Sequence, residues 1–285
     1  LAFFLLVVSQ VSIWIYIALK ILGIIVTVAV MSRDSNPAYK LALIIPILVF
    51  SSIGGIIYLS MGRPRTPRRK LKRMQAINTA VDSLLGETQD ALQQHMNVDP
   101  DEIDDPQLRR LSRFIQNDAG FPVYNQTDVD YFPSGETYYA ALKAALQKAE
   151  RFIFLEYFII EPGLFWNELS DILLEKVKTG VDVRVIYDDV GSLFTLGRKE
   201  KKRLRDGGIQ LMAFNRMTPS FDIRLNNRSH RKIAVIDGSV AFTGGVNLAD
   251  EYINAVERCG HWKDTGIRLT GTAAWSFTVM FLSFW

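Results

Sequence analysis

The sequence predicts an α/β domain with a mixed, largely buried sheet, preceded by a hairpin of two transmembrane helices. Three observations carry this. Two apolar stretches before residue 62 are each long enough to cross a bilayer. Seven basic residues and no acid fall within residues 63–73, directly after the second stretch. From residue 121 onward, short apolar runs alternate with helical patterns at the spacing of strand–helix units.

Residues 11–31, VSIWIYIALKILGIIVTVAVM, hold one charge, Lys20, and residues 41–62 hold none. At about 1.5 Å per residue, roughly 20 residues cross a hydrocarbon core. A central charge costs about 2.5–3.5 kcal/mol on insertion scales, which the apolar neighbours of Lys20 offset. Pro46 and the Gly54-Gly55 pair are tolerated in membrane helices, and SRDSNPAYK, with Asn36 and Pro37, supplies the turn. The basic run from Arg63 to Arg73 then puts the C-terminal side in the cytoplasm and attracts anionic head groups, each cation adding on the order of 1 kcal/mol. The expected regions are 1–62, membrane-spanning; 63–115, a basic juxtamembrane and helical linker; and 116–285, the α/β domain. The apolar run 1–8 reads as the end of a further segment, and WSFTVMFLSFW at 275–285 as a helix-compatible run without a cap, so the chain reads as a fragment at both ends.

Within the polar part, residues 74–96 form an amphipathic helix ended by the acidic DPDEIDDP. GETYYAALKAALQKAE (135–150) is a helix, RFIFLEYFII (151–160) a strand, NELSDILLEKVKTG (167–180) a helix closed by Gly180, and VDVRVIYDD (181–189) a strand. A basic helix (198–208) and the strands IQLMAF (209–214), RSHRKIAVID (228–237) and SVAFTGG (239–245) follow. Glu156, Asp188 and Asp189 stand near strand ends, where α/β chemistry gathers, although structural roles suit them equally.

Composition narrows the function. A chain with 48% hydrophobic and 22% charged residues is not wholly disordered. Cys259 is the single cysteine, and histidines at 95, 230 and 261 are too scattered for a zinc cluster. His95 reads as a surface residue, and His261 beside Asp264 lacks further ligands. The net charge is +3, yet residues 74–285 sum to −6, which speaks against nucleic acid as a partner and for a local basic belt. The cations of 198–205 read first as a solvated helix face, with phosphate or membrane contact as the alternative.

The chemistry concentrates at His230-Arg231-Lys232-Ile233-Ala234-Val235-Ile236-Asp237, an HxKxxxxD pattern followed by Gly244-Gly245-Val246-Asn247. On a strand, His230 and Lys232 project to one side while Ile233 and Val235 face the other. An imidazole beside an ammonium suits a phosphoryl centre: the ring can attack phosphorus, the cation can neutralise charge growing on the non-bridging oxygens, and no metal is required. Asn247 after the Gly-Gly turn offers an amide donor to the same oxygens. Asp264 is a carboxylate that could fix the tautomer of His230.

This stretch resembles the phospholipase D superfamily, whose signature is HxKxxxxD followed by a small-residue turn and Asn. The likeness extends through GFPVYN, GVDVRVIYDDVGS, NNRSHRKIAVIDG, GGVNLADEY and HWKDTGIRLTG, all behind apolar spans, to the bacterial cardiolipin synthases of that superfamily. The resemblance implies a phospholipase D-like mixed-sheet fold and transfer of a phosphatidyl group from one phosphatidylglycerol to another, releasing glycerol, without a cofactor. It makes His230 nucleophile or general acid, Lys232 the phosphate clamp, Asp237 an electrostatic and structural support and Asn247 a phosphate ligand. A phospholipase D-type hydrolase, a phosphatidylserine-forming relative and a non-catalytic membrane scaffold are the alternatives. The family's site has two such motifs and this sequence has one, since neither His95 nor His261 has Lys two residues on. The second half is therefore expected from residues beyond Trp285 or from a second copy, with phosphatidylglycerol and anionic membrane lipids as partners in a multi-pass cell-membrane protein.

Overall fold

The computed structural model describes residues 2–33, 37–50, 54, 58, 68–92, 98–216, 228–258 and 260–285. They divide after residue 67 into two units. In the first, α1 (Ala2–Met31) is one uninterrupted helix, so residues 2–8 belong to the same helix as the stretch that follows. Its segment Ile13–Met31 is long and apolar enough to cross a membrane. The helix α2 (Pro37–Val49) keeps Pro46 in its interior, and Val26 and Val30 of α1 are buried with Ile47 and Tyr58. As described, α2 has 13 residues, short of a span. Most of 51–62, on which the second span depends, lies outside the described residues, as do 63–67, His95 and Cys259.

The second unit opens with α3 (Arg68–Leu92), on which Arg69, Lys72 and Arg73 are exposed. A 3₁₀ turn (Pro100–Glu102) and α4 (Pro106–Ala119) follow, the latter capped by Asp105, whose carboxylate accepts from the N–H groups of Gln107 and Leu108. The sheet then assembles from β1 (Thr127–Phe132), β2 (Phe152–Tyr157), β3 (Asp182–Asp188), β4 (Gln210–Phe214), β5 (Ile233–Ile236), β6 (Val240–Gly244) and β7 (Gly266–Gly271). Their spatial order is β1-β7-β6-β5-β2-β3-β4. β2, β3 and β4 are parallel, joined through α6 (Leu164–Lys178) and α7 (Arg198–Asp206), and every other pair is antiparallel. Parallel neighbours need helical crossovers and antiparallel ones need only turns, which is why the chain order changes character at β5.

Alternation along each strand sorts the core into two layers. Ile153, Leu155 and Tyr157 of β2 pack with Tyr138, Leu142 and Leu146 of α5 (Gly135–Gln147) and with Trp166, Leu169 and Leu173 of α6. Phe154, Ile186, Ile233 and Val235 face the other way onto Phe281 of α8 (Ala274–Phe284). The apolar run at 275–285 is thus the cover of the sheet's second face. The mixed, largely buried sheet agrees with the expectation, while β1, β7 and α4 are elements the sequence pattern does not disclose.

Candidate active site

One expected element is shorter than its pattern. The ladder of β5 begins at Ile233, paired with Glu156 of β2, so Arg228–Lys232 form no strand. Their polar groups go to side chains instead. Ser229 N–H donates to Asp188 Oδ2 at 3.1 Å, and Arg228 contacts the other oxygen of the same carboxylate at 3.4 Å. Ser229 Oγ donates to Glu156 Oε1 at 2.5 Å, and the Arg231 guanidinium gives Glu156 two bonds at 3.0 and 2.9 Å. Glu156 is 1% exposed, so this fork satisfies a carboxylate that burial would otherwise make costly. Arg231 also lies over the Phe284 ring at 3.9 Å. Asp188 further accepts from the N–H groups of Val190 and Gly191. Both neighbours of His230 are therefore tied into the sheet, and His230 itself is left exposed.

The outward alternation survives although the ladder does not. Arg231 faces α8, together with Ile233 and Val235, and Lys232 turns the opposite way. Phe158, just past β2, lies against both motif residues: its ring centroid is 4.8 Å from that of His230 and 5.6 Å from Lys232 Nζ. Lys232 is 4% exposed, and its ammonium donates to the His230 carbonyl at 2.8 Å. Burial pulls its pKa down to about 8, against an opposing upward pull from the nearby Asp264 carboxylate.

Asp264 acts on the lysine only through its charge and makes no hydrogen bond with the His230 imidazole. Its Oδ1 accepts from Thr265 N–H at 2.8 Å and its Oδ2 from Trp262 Nε1 at 3.4 Å. Gly245 makes room for it, since a Cβ there would fall 1.9 Å from Asp264 Oδ1. The structure therefore does not bring Asp264 to the His230 imidazole as expected, and its carboxylate is held by Thr265 and Trp262 instead.

Asn247 is buried, with Oδ1 accepting from Ile159 N–H at 3.1 Å and Nδ2 donating to Tyr252 Oη at 2.7 Å. Its second amide hydrogen makes no hydrogen bond among the described residues. Asp237 lies at the far end of β5, roughly 16 Å from Lys232 at about 3.3 Å per residue. There it accepts from the N–H groups of Glu150, Arg151 and Phe152 at 2.9, 2.7 and 2.9 Å. Burial raises its pKa, but the three donors outweigh burial and hold the carboxyl below its usual range. Its backbone takes φ 55° in the turn to β6, a conformation Asp tolerates. Asp237 therefore ties β5 to the start of β2, and the electrostatic part of its expected role has no geometry behind it.

The Asp of the GGVNLADEY segment, Asp250, caps α6 by accepting from Leu164 and Phe165 N–H at 2.9 and 2.8 Å. Among the described residues no group of three or more His, Cys, Asp or Glu side chains is placed to hold a metal ion. Phe158, Ser229 and Arg231 are the site residues that sequence reasoning missed. The signal available for Arg231 was its position inside the motif, opposite in alternation to Lys232, beside a strand-end Glu156.

Residues 142–259 match the family model described as "Cardiolipin synthase, PLD-like domain". A protein named cardiolipin synthase from Oceanobacillus iheyensis is 34% identical over 258 residues, covering 88% of this chain and 52% of its own length. Its namesake from Geobacillus kaustophilus is 31% identical over 263 residues, covering 92% and 51%. A protein of Streptococcus mutans named only as uncharacterized is 51% identical over 175 residues, covering 61% of this chain and 38% of that one. The chain spans about half the length of the two named relatives.

Proposed function

We propose a phosphatidyl-transfer activity for this chain, which belongs through residues 142–259 to the family of PLD-like cardiolipin synthase domains. The substrate is phosphatidylglycerol and the products are cardiolipin and glycerol. The observation that carries the reading is the exposed imidazole of His230, tied on both sides and set beside the buried Lys232 ammonium.

In the proposed sequence, one histidine attacks phosphorus of the first phosphatidylglycerol while a second protonates the departing glycerol oxygen as its P–O bond breaks. The hydroxyl of a second phosphatidylglycerol then attacks the phosphohistidine, losing its proton to the second histidine and freeing the first. His230 fills one of these roles, and the other falls to a second HxKxxxxD half supplied by a further part of the protein or by a second copy. Lys232 neutralises the non-bridging oxygens, and the remaining amide hydrogen of Asn247 is a donor to them. The named relatives, of whose length this chain spans about half, support the two-half reading. A membrane setting is part of the proposal: α1 would anchor the chain, and the catalytic unit would lie on the cytoplasmic side.

The test is conversion of phosphatidylglycerol by the complete protein in detergent micelles, with lipid products and glycerol quantified by mass spectrometry. Cardiolipin and glycerol in equal amounts support the proposal. Phosphatidic acid as the sole phospholipid product would move the assignment to a hydrolase, and no turnover at all would move it to a scaffold.

A further inference from the structure

We propose that the loop between β3 and α7, together with the outer face of α7, is a docking surface for an anionic lipid bilayer. The inference rests on the lipid-substrate reading above and adds the part of the fold that meets the membrane surface. The loop is tied down along its inner side. Ser192 Oγ donates to the Phe158 carbonyl and accepts from Ile160 N–H, both at 3.1 Å, and Thr195 Oγ1 donates to the Ile160 carbonyl at 2.7 Å. Gly191 packs so closely that a Cβ would lie 2.4 Å from the Phe158 oxygen. These contacts fix the loop against the residue whose ring touches His230.

What the loop presents outward is apolar. Val190 and Leu193 are exposed, and Phe194 is 95% exposed. A lone apolar side chain at a surface is ordinary, but three within five residues, on a tied loop beside a catalytic histidine, form a patch that water disfavours. Four residues after Phe194, α7 begins. Its exposed Arg198, Lys199, Lys202 and Arg205 recur at helical spacing on the side opposite the buried Leu204. Lys202 pairs with Asp206, while Glu200 is turned inward to Arg203 and the Trp166 indole, so the outer face is net cationic. An apolar tip next to a cationic helix face is the arrangement of an interfacial element: the ring enters the acyl boundary and the cations meet phosphates.

Charge decides between this surface and a second apolar one. Leu108, Leu111 and Phe114 of α4 are also exposed, but residues 99–119 carry six acids against Arg109, Arg110 and Arg113, and Arg113 is paired with Asp101, so that surface is net negative and an anionic bilayer repels it. Docking through Phe194 and α7 would bring Phe158 and His230 to the headgroup layer, so that a phosphatidyl group could be engaged without leaving the bilayer.

The experiment uses the complete protein in vesicles rich in phosphatidylglycerol, carrying Phe194→Cys in a Cys259→Ser background and labelled with an environment-sensitive fluorophore. Blue-shifted emission, quenching by nitroxide-bearing lipids and shielding from aqueous iodide support the proposal, as does loss of all three in zwitterionic vesicles or on Arg198→Glu, Lys199→Glu, Arg205→Glu substitution. A label quenched by iodide as freely as in detergent overturns it. So does a label shielded from both quenchers, which would mean that protein covers the loop. Cardiolipin formation by the unlabelled parent is measured alongside: lipid contact without turnover would leave docking standing and remove the reaction assigned above, and turnover with a water-exposed label would do the reverse.

Discussion

The Glu156 carboxylate receives both donors of the Arg231 guanidinium and the Ser229 hydroxyl, and so holds the two residues that flank His230. Because Glu156 is buried and Arg231 about one-third exposed, breaking the pair falls toward the lower end for buried ion pairs. Glu156→Gln is expected to cost about 2–3 kcal/mol in denaturant unfolding. It should also lower kcat roughly 10–100-fold, with a smaller change in KM, because the imidazole is no longer aimed. A stability loss with unchanged kcat at a temperature where the variant is folded would reduce the pair to a structural tie.

Lys232 gives the site a pH dependence with a definite sign. Its folded pKa is about 8, against 10.5 for the free side chain. Activity should therefore fall as pH rises through about 8, when the ammonium proposed to neutralise the phosphate loses its proton. The Lys232→Arg variant should keep its residual activity to higher pH. Stability runs the other way: between the two values the unfolded chain binds the extra proton, so stability rises with pH over that window. At pH 7, Lys232→Met should be more stable than the parent by about 1–3 kcal/mol while losing turnover. Thermal melts and rate profiles on the same samples check both.

Asp237 should behave as a structural residue. Removing it strands the N–H groups of Glu150, Arg151 and Phe152, so Asp237→Ala should lower stability by about 2–4 kcal/mol. Since the folded carboxyl titrates below its ordinary value, its contribution is full above about pH 4 and is lost as pH falls through the folded pKa. Rates per folded molecule should change far less than for substitutions at His230.

The pattern of strands and helices was legible from β2 to β4 because strands covered on both faces read as short runs rich in apolar residues, FIFLEY and DVRVIYD among them. β1 was not legible. It is an edge strand whose Val129 and Tyr131 face outward while Asp130 pairs with Arg268 of β7, so its apolar residues carry no burial signal. At the site, the motif located His230 and Lys232, but the strand expected for them starts only at Ile233, and the backbone N–H of Ser229 goes to the Asp188 carboxylate in place of a ladder partner. Asp264 bonds Thr265 and Trp262 and not the His230 imidazole, since a spacing in sequence does not show which side a Gly-Gly turn opens.

Membrane orientation has its own test. Ser229 is buried and bonded, so the reporting position is Ser239, which is exposed at the β5–β6 turn. With Ser239→Cys in a Cys259→Ser background, an impermeant maleimide should label only after cells are opened, as the positive-inside bias requires. Labelling of intact cells would place the catalytic unit outside.

The most direct test of the central claim is the rate of phosphatidyl transfer from phosphatidylglycerol by the complete protein carrying His230→Asn, beside His95→Asn. Because His230 is exposed and packs only its ring against Phe158, the amide should leave the fold intact while lowering transfer by at least about 10³-fold, whereas His95→Asn should be nearly silent. A folded His230→Asn protein that makes cardiolipin at the parental rate would contradict the account.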